Sequence, residues 1–405
     1  MRPYTGCALR PPERTAGPSL ASIYALVACA FTTVYVTQPI LPILQHEFGV
    51  GESVASLSVS AVIFGMALST VPIGMLADRY PARWLVLAGG SVVGCASVVC
   101  AITDDFATLI AMRALQGLFM PSLTTCTAAW LSRTLPPAAL NVALGSYVAA
   151  TVAGGLGGRL LGGFIHPPLH WRYAFVTSAV ALLVMTLVVA SKLREPLAVR
   201  AAHKAVASIA TLVVRRPQML AQIAAFGAFG AFSTAFNYFP FYLSSAPWNL
   251  STGAITSLYL VYVVGLAMGP LAGRFANRFG NGAVMVGGAL LVAASLAATL
   301  VVALPVLVTS LLALCAGFFA VHAAAVGALN RSLSSDRGLA NALYTLFYYV
   351  GGAVGIALGG VLYGRAGWPG VVAVSIAMAL LPLAVGVLQW HAGSLREARE
   401  SRVGS

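Results

Sequence analysis

Long apolar runs recur along the chain, separated by short polar breaks, and each run is about the length needed to cross a bilayer. A membrane-spanning helix takes roughly 20 predominantly apolar residues. The pattern predicts twelve spans, over residues 20–44, 54–77, 84–103, 106–130, 139–164, 172–191, 218–244, 253–273, 281–302, 305–329, 339–363 and 369–390. Each must be helical, because lipid offers the backbone no hydrogen-bond partner. The expected fold is therefore an all-α polytopic membrane protein. Its plan is a polar tail over 1–19, broken by Pro11, Pro12 and Pro18 and expected to be disordered; a six-helix bundle over 20–191; a basic linker over 192–217; a second bundle over 218–390; and a tail over 391–405.

Composition strengthens this reading. Of 405 residues 59% are hydrophobic and only 8% charged, against about 25% charged in soluble domains. The net charge of +13 would suggest nucleic acid in a soluble chain. Here the placement of the bases argues for topology instead. An even number of spans puts both termini on one side, and the positive-inside bias makes that side cytoplasmic. Of the 23 Lys and Arg, only Arg172 and Arg365 fall in the opposite loops, and only Arg113 and Arg159 fall within spans. Those opposite loops hold Glu47, Glu52, Asp104 and Asp105 instead. The six cysteines show no CxxC spacing, so neither a disulfide framework nor a metal site is expected. No signal peptide precedes the first span. In the linker, Arg200, His203 and Lys204 share one helical face, and Val206, Ile209 and Val213 could form another. That pattern suits an amphipathic helix on an anionic leaflet and equally a solvated tether.

The two bundles are repeats. GMLADRYPAR from Gly74 returns as GRFANRFGNG from Gly273, with Asn277 in place of Asp78 and Arg278 in place of Arg79. Pro39 and Gly117 return as Pro240 and Gly317. GGLGGRLLGG from Gly154 returns as GGAVGIALGG from Gly351, with Trp171 and Trp368 following at the same offset of 197 residues (351 − 154). Six helices separate the copies, so the halves share one orientation and relate through an axis along the membrane normal. Glycine at every fourth position gives spans five and eleven a smooth face for close approach, either as ordinary helix contact or as a sliding interface between halves.

Ionisable residues inside a membrane are costly and are functional candidates by default. The spans contain Arg113, Arg159 and His322, and no Asp or Glu. A cavity with only positive or neutral groups favours neutral or anionic solutes over cations. Arg113 lies about seven residues, roughly 10 Å, from the outer end of its span, with Gln116 on the same face. Arg159 is close enough to the outer end of span five to snorkel to the interface. His322 could titrate near neutral pH or sit buried and neutral against a carbonyl. The prolines in spans one, four and seven, Pro39, Pro121 and Pro240, predict kinks that free carbonyls toward a cavity.

In these motifs the chain resembles the major facilitator superfamily, and within it the drug/proton antiporter and sugar-efflux-permease branch of bacterial inner membranes. The loop signature GxLADRxGRK is represented by Gly74, Leu76, Ala77, Asp78, Arg79 and Arg83, with Pro81 and Ala82 as departures. The span-four signature RxxQG is Arg113, Gln116 and Gly117. The antiporter pattern of span five reads Gly145, Gly154, Gly158, Gly162 and Gly163, with Arg159 where the pattern has proline. The resemblance implies two bundles rocking around one central site. It implies that Asp78 closes an inner latch against the N-terminus of span eleven, near Gly338 and Leu339. A carboxylate so placed is worth about 0.3–2 kcal/mol, steadied by Arg79 and Arg83, and Asn277 would make the weaker latch of the other half. It also implies a cavity lined by spans one, four, seven and ten. Their candidates are Tyr35, Thr37, Gln38, Arg113, Gln116, Asn237, Tyr238 and His322, with Tyr262, Tyr344 and Tyr348 added from spans eight and eleven. Each aromatic also suits ordinary packing.

The expected function is secondary transport: proton-coupled efflux of a small neutral or anionic organic solute, with an uncoupled facilitator, an importer or a non-transporting receptor as alternatives. No Walker motif appears, so ATP is not the direct energy source. The coupling candidates are Arg113, His322 and Glu47. Clustered catalytic residues are missing from the spans, which argues against an enzyme. Expected partners are membrane lipid, a small-molecule solute and protons, with no nucleic acid, no cofactor and no metal, and the chain is expected to work as a monomer.

Overall fold

The computed structural model describes residues 17–193, 215–333 and 337–403, and the linker faces built on Arg200 through Val213 lie outside the described residues. Among the described residues the regular structure is helical throughout. Eleven helical segments are long and apolar enough to cross a membrane, and the eighth of them, Thr252–Ala298, runs for 47 residues. It is two spans. Gly280 is non-helical (φ 83°, ψ 156°), a left-handed conformation that glycine adopts without strain. Gly265 and Gly288, on either side of it, both lie against the same short stretch of span ten, at Phe319 and at Gly317 with Val321. In a straight helix they would stand about 34 Å apart. The chain therefore folds back, and the expected twelve spans are present.

Span one is not one helix. Helix Leu20–Tyr35 ends, a 3-10 turn takes Gln38–Ile40, and a short helix resumes at Leu41–Phe48. Pro39 and Pro42 explain the break, since proline removes an N–H and clashes with the preceding turn. Span two is Leu57–Ala77, introduced by Glu52–Ala55. Then come Ala82–Ile102, Phe106–Thr134, Pro137–Ile165 and Arg172–Lys192. In the second half span seven is Arg216–Ser244, and span eight opens with Thr252–Leu258 and Tyr259–Tyr262. Spans ten, eleven and twelve are Leu304–Arg331, Arg337–Ala366 and Trp368–Val403. The last helix continues past residue 390, where the span was expected to end. Side chains such as Phe64, Leu68, Val180, Leu187, Leu290 and Leu380 are each more than half exposed, as a lipid-facing belt requires.

The repeat seen in sequence is repeated in contacts. Span one packs on five and span seven on eleven; two packs on four and eight on ten; three packs on six and nine on twelve. Gly154, Gly158 and Gly162 face the backbones of Ala28, Thr32 and Val36. Gly351, Gly355 and Gly359 face Phe226, Gly230 and Thr234. These partners correspond at a constant offset of 198 residues (226 − 28). The glycine faces thus bind each half together internally, and the expectation that they form the interface between halves is corrected. Only their last members cross over: Gly163 meets Thr256, and Gly360 meets Ser53. Both crossings lie at the face of the bundle away from the termini, here the distal face. Spans five and eight touch chiefly through Thr252–Tyr262. Further toward the terminal face, Gly145, Gly269 and Gly273 have no neighbour within 4 Å of where a Cβ would stand. The two halves meet distally and part between five and eight on the terminal side.

The glycine seams predict a contrast in stability. Gly158→Leu and Gly355→Leu must push helix backbones apart, an overpacking cost of about 1–3 kcal/mol or more, and should lower the melting temperature in detergent. Gly145→Ala and Gly269→Ala should leave it unchanged or raised. Equal behaviour of the two pairs would contradict the seam.

Candidate functional site

Two buried arginines meet the break in span one. Helix Leu20–Tyr35 leaves its last carbonyls without intrahelical donors. Arg113 supplies them. It reaches across from span four, fully buried, and donates from Nη1 to the Thr33 carbonyl (2.7 Å) and from Nη2 to the Val34 carbonyl (2.5 Å). Its Nε donates to the Ser58 carbonyl (2.6 Å), and Nη1 also donates to Gln116 Oε1 (2.7 Å). Gln116 in turn donates to Ser97 Oγ (2.8 Å). A cation at a helix C-terminus is also favoured by the helix dipole. Arg113 is thereby a brace inside the first half. Four of its five N–H donors go to three main-chain carbonyls and Gln116, and it is not among the residues lining the void described below.

Arg159 is the arginine at the centre. It is 3% exposed and does not snorkel. Its Nε donates to Gln38 Oε1 (2.6 Å) and its Nη1 to the Gly155 carbonyl (2.8 Å). The guanidinium carbon stands 3.9 Å from the Tyr35 ring centroid, 4.2 Å from Tyr262 and 5.5 Å from Tyr259. Gly155 makes this possible, since a Cβ there would sit 3.2 Å from Nη1 and 3.4 Å from the Tyr35 ring. Among the described residues no carboxylate lies within 4 Å of Arg159. Cation–π contacts contribute about 2 kcal/mol or more when desolvated, less than the several kcal/mol a buried charge costs.

Arg159 lines a small void between the halves, with Tyr35, Gln38, Ile63, Phe229, Phe232, Ser233, Phe236, Tyr262 and Ile356. The repeat orders this list. At offsets of 197 or 198, Tyr35 corresponds to Ser233, Gln38 to Phe236 and Arg159 to Ile356. The void therefore sits on the pseudo-twofold axis. The first half contributes Tyr35, Gln38, Arg159 and Ile63, and the second contributes the apolar Phe229, Phe232, Phe236 and Ile356 together with Ser233 and Tyr262. Phe232 stacks on Phe318 at 3.9 Å and Phe229 on Tyr348 at 3.8 Å, fixing the apolar wall. The Tyr262 hydroxyl is buried without a hydrogen-bond partner.

The other expected residues distribute as follows. Tyr344 bonds His322 Nδ1 (3.0 Å), and Phe318 and Tyr348 flank the imidazole, which is partly buried. Thr37 Oγ1 donates to the Ser58 carbonyl (3.5 Å). Tyr238 donates to the Ile356 carbonyl (3.0 Å). Asn237 is fully buried with both amide atoms unpaired. Glu47 belongs to the distal surface: it accepts from Trp171 Nε1, pairs with Arg172 (3.3 Å) and lies 3.6 Å from His170. Neither Glu47 nor any of these partners lines the void. Close by, Asp105 caps span four by accepting from Thr108 N (2.8 Å) and Oγ1 (2.7 Å), which holds its carboxyl below the usual range. On the terminal face Asp78 is exposed and pairs with Arg133 of span four (3.8 Å), whose Nη1 also donates to the Ala77 carbonyl (3.0 Å). Arg79 is exposed, Arg83 lies over Trp84 and Arg278 over Phe279, and Asn277 is exposed. Residues 334–336, beside the expected latch partner, lie outside the described residues. Sequence reading missed Ile63, Phe229, Phe232, Ser233, Phe236 and Ile356 as lining residues. Projecting Gln38 and Arg159 through the repeat offset would have found Phe236 and Ile356.

Two six-helix repeats meet around a void at their shared axis, and the family and relatives that the chain matches make it a membrane transporter rather than an enzyme. The chain belongs to the Major Facilitator Superfamily, whose profile matches residues 23–269 and 249–401. It is similar to the uncharacterized MFS-type transporter YybF of Bacillus subtilis, 27% identical over 371 residues covering 89% of this chain and 91% of that protein. It is also similar to the inner membrane transport protein YnfM of Escherichia coli, 28% identical over 377 residues covering 90% and 88%. Its fold matches the crystal structure of a bacterial homolog of the human lysosomal transporter Spinster, in an inward-facing and occupied conformation, with a TM-score of 0.74, 14% identity and coverage of 93% and 96%.

The brace reading of Arg113 is open to test. Arg113→Lys replaces five forked donors by three on one nitrogen and leaves carbonyls unpaired, at about 1–3 kcal/mol each. Monodisperse yield and melting temperature should both fall. Unchanged stability with lost transport would make Arg113 a working residue instead.

Proposed function

We propose that this protein exports a small neutral or anionic organic solute across a bacterial inner membrane by alternating access, coupled to proton entry, with both termini cytoplasmic and the monomer as the working unit. The observation that carries the reading is the void on the pseudo-twofold axis, with Arg159 in one wall and closed on the distal side by Ser53–Gly360 and Thr256–Gly163. The basic loops on the terminal face support a cytoplasmic placement of that face. With that orientation the described state is closed to the outside. The span-five glycine pattern, similar to that of drug/proton antiporters, favours export. Asp78 then completes the cycle: with the inner side open it pairs with Arg133, and on closure it engages the start of span eleven. His322, hydrogen-bonded to Tyr344, is the group best placed to carry a proton. A second reading, an uncoupled carrier, is favoured by one observation: no Asp or Glu lies inside any span.

Purified protein in liposomes, given a solute panel and an imposed pH gradient, separates these readings. Coupled export gives proton counterflow with solute flux. The flux of an uncoupled carrier is indifferent to the gradient, and a chain that moves no solute under any gradient is not a transporter of this kind. Alternating access makes its own prediction. A Cβ at position 360 would stand 3.0 Å from the Ser53 Cβ, near the range a disulfide spans. The double variant Ser53→Cys, Gly360→Cys should therefore cross-link under oxidant and stop transport, and reductant should restore it. Full transport by the cross-linked protein would refute distal closure as part of the cycle.

A further inference from the structure

We infer that the central site takes an organic monoanion with an apolar, planar body, its carboxylate held by Arg159 and Tyr262. The inference rests on the transporter reading and goes beyond it in naming the substrate class and the residues that select it.

The first observation is charge. Arg159 is buried, fixed by Gln38 and the Gly155 carbonyl, and meets no carboxylate among the described residues. A buried cation usually has an anionic partner, because isolated charge in a low-dielectric setting is costly. Here the protein supplies only neutral acceptors and ring faces. The second observation is independent of the first. Tyr262 is 4% exposed, lines the same void, and its hydroxyl has no partner. A buried donor is normally satisfied, and a carboxylate reaching Arg159 would satisfy this one. The third observation is the asymmetry of the walls. Phe229, Phe232, Phe236 and Ile356 form the side opposite Tyr35, Gln38 and Arg159. Arg159 of the first half and the Tyr262 hydroxyl of the second hold the charged head, and the second half supplies most of the apolar lining, so the solute bridges the halves.

Arg113, the other buried guanidinium, spends its donors on three carbonyls and Gln116. Among the described residues one uncompensated positive charge remains at the void. It matches one negative charge, and a second would be buried unpaired. Monoanions are therefore preferred over dianions, neutral isosteres and cations. Arg159 gives the preference for charge, and the Tyr262 hydroxyl adds one charge-assisted hydrogen bond.

The test uses purified full-length protein in detergent, titrated at neutral pH with four probes of one shape: benzoate, benzamide, benzylammonium and phthalate. Binding is read by thermal shift and by quenching of tryptophan fluorescence. Benzoate should bind about tenfold or more tightly than benzamide and phthalate, and benzylammonium should not bind. Tyr262→Phe should weaken benzoate about tenfold and leave the melting temperature of the free protein unchanged, since its hydroxyl has no partner to lose. Arg159→Gln should abolish the preference of benzoate over benzamide. Where Arg159→Gln does not fold, Tyr262→Phe decides alone. Benzamide or benzylammonium binding as tightly as benzoate overturns the inference. So does benzoate failing to bind at millimolar concentration, benzoate affinity untouched by Tyr262→Phe, or a preference that survives Arg159→Gln. Liposomes that move a neutral or cationic solute would sink the anion assignment while leaving the transporter reading intact. Benzoate binding without movement of any solute would do the reverse.

Discussion

The fold turns on a broken helix that two guanidiniums must mend. Pro39 and Pro42 prevent span one from continuing past Tyr35, and an interrupted helix in a membrane exposes carbonyls that lipid cannot satisfy. Arg113 approaches from span four and takes the carbonyls of Thr33 and Val34. Arg159 approaches from span five and takes the side chain of Gln38 in the 3-10 turn. Neither is paired with a carboxylate among the described residues. The same break that needs donors therefore installs positive charge at the middle of the molecule, and the two arginines divide the outcome. Arg113 gives four of its five N–H donors to acceptors within its own half, and Arg159 keeps donors beside the void.

Around this point the two halves are stiff and their interface is not. Spans one with five, and seven with eleven, approach at glycine contacts so close that a methyl group would meet main-chain atoms. Such seams transmit motion as rigid bodies, because interiors of this density do not deform continuously. Spans two and eleven also pack across the halves, and two of the distal crossings use different chemistry: serine and threonine against the last glycine of each motif, at Ser53 with Gly360 and Thr256 with Gly163. Small polar side chains on smooth backbone make and break contact with little interlocking. The second half repeats the scaffold of the first, but it places Ile356 and Phe236 where the first has Arg159 and Gln38. Duplication supplied the hinge geometry, and divergence of a few positions gave the void its polarity.

Much of the scaffold was legible in the sequence because the bilayer imposes so few solutions. Span length, helicity and the repeat offsets all follow from the apolar pattern and the glycines. Gly280 was readable only as part of the echo of the charged loop, and its left-handed turn between spans eight and nine comes from the structure. The site was legible unevenly. Tyr35, Gln38 and Tyr262 stand in the void wall. Arg159 lines the void and Arg113 does not, because depth places an arginine along its helix but not around it. Depth alone allowed Arg159 to reach the interface, yet the glycine at 155 lets it fold back over Tyr35. The aromatic wall escaped notice because Phe229, Phe232 and Phe236 carry no polar atom, and only the pairing of halves shows that they face Arg159.

The missing membrane carboxylate then changes meaning. A carrier that exports a neutral solute against its gradient needs a proton-binding group to tie the two fluxes together, and the spans offer only His322. A carrier that exports a monoanion has a second source of work. One elementary charge crossing a membrane potential is worth about 2.3 kcal/mol per 100 mV. For a negatively charged solute leaving an interior that is negative, that work favours export, by about fiftyfold in concentration ratio. In the proposed exchange, proton entry and monoanion export carry charge in the same sense, so the potential adds to the pH gradient in driving both. The void would then need charge only to hold the cargo, which Arg159 and the unpaired Tyr262 hydroxyl can do, and with no acid in any span the proton is left to a group outside that contact.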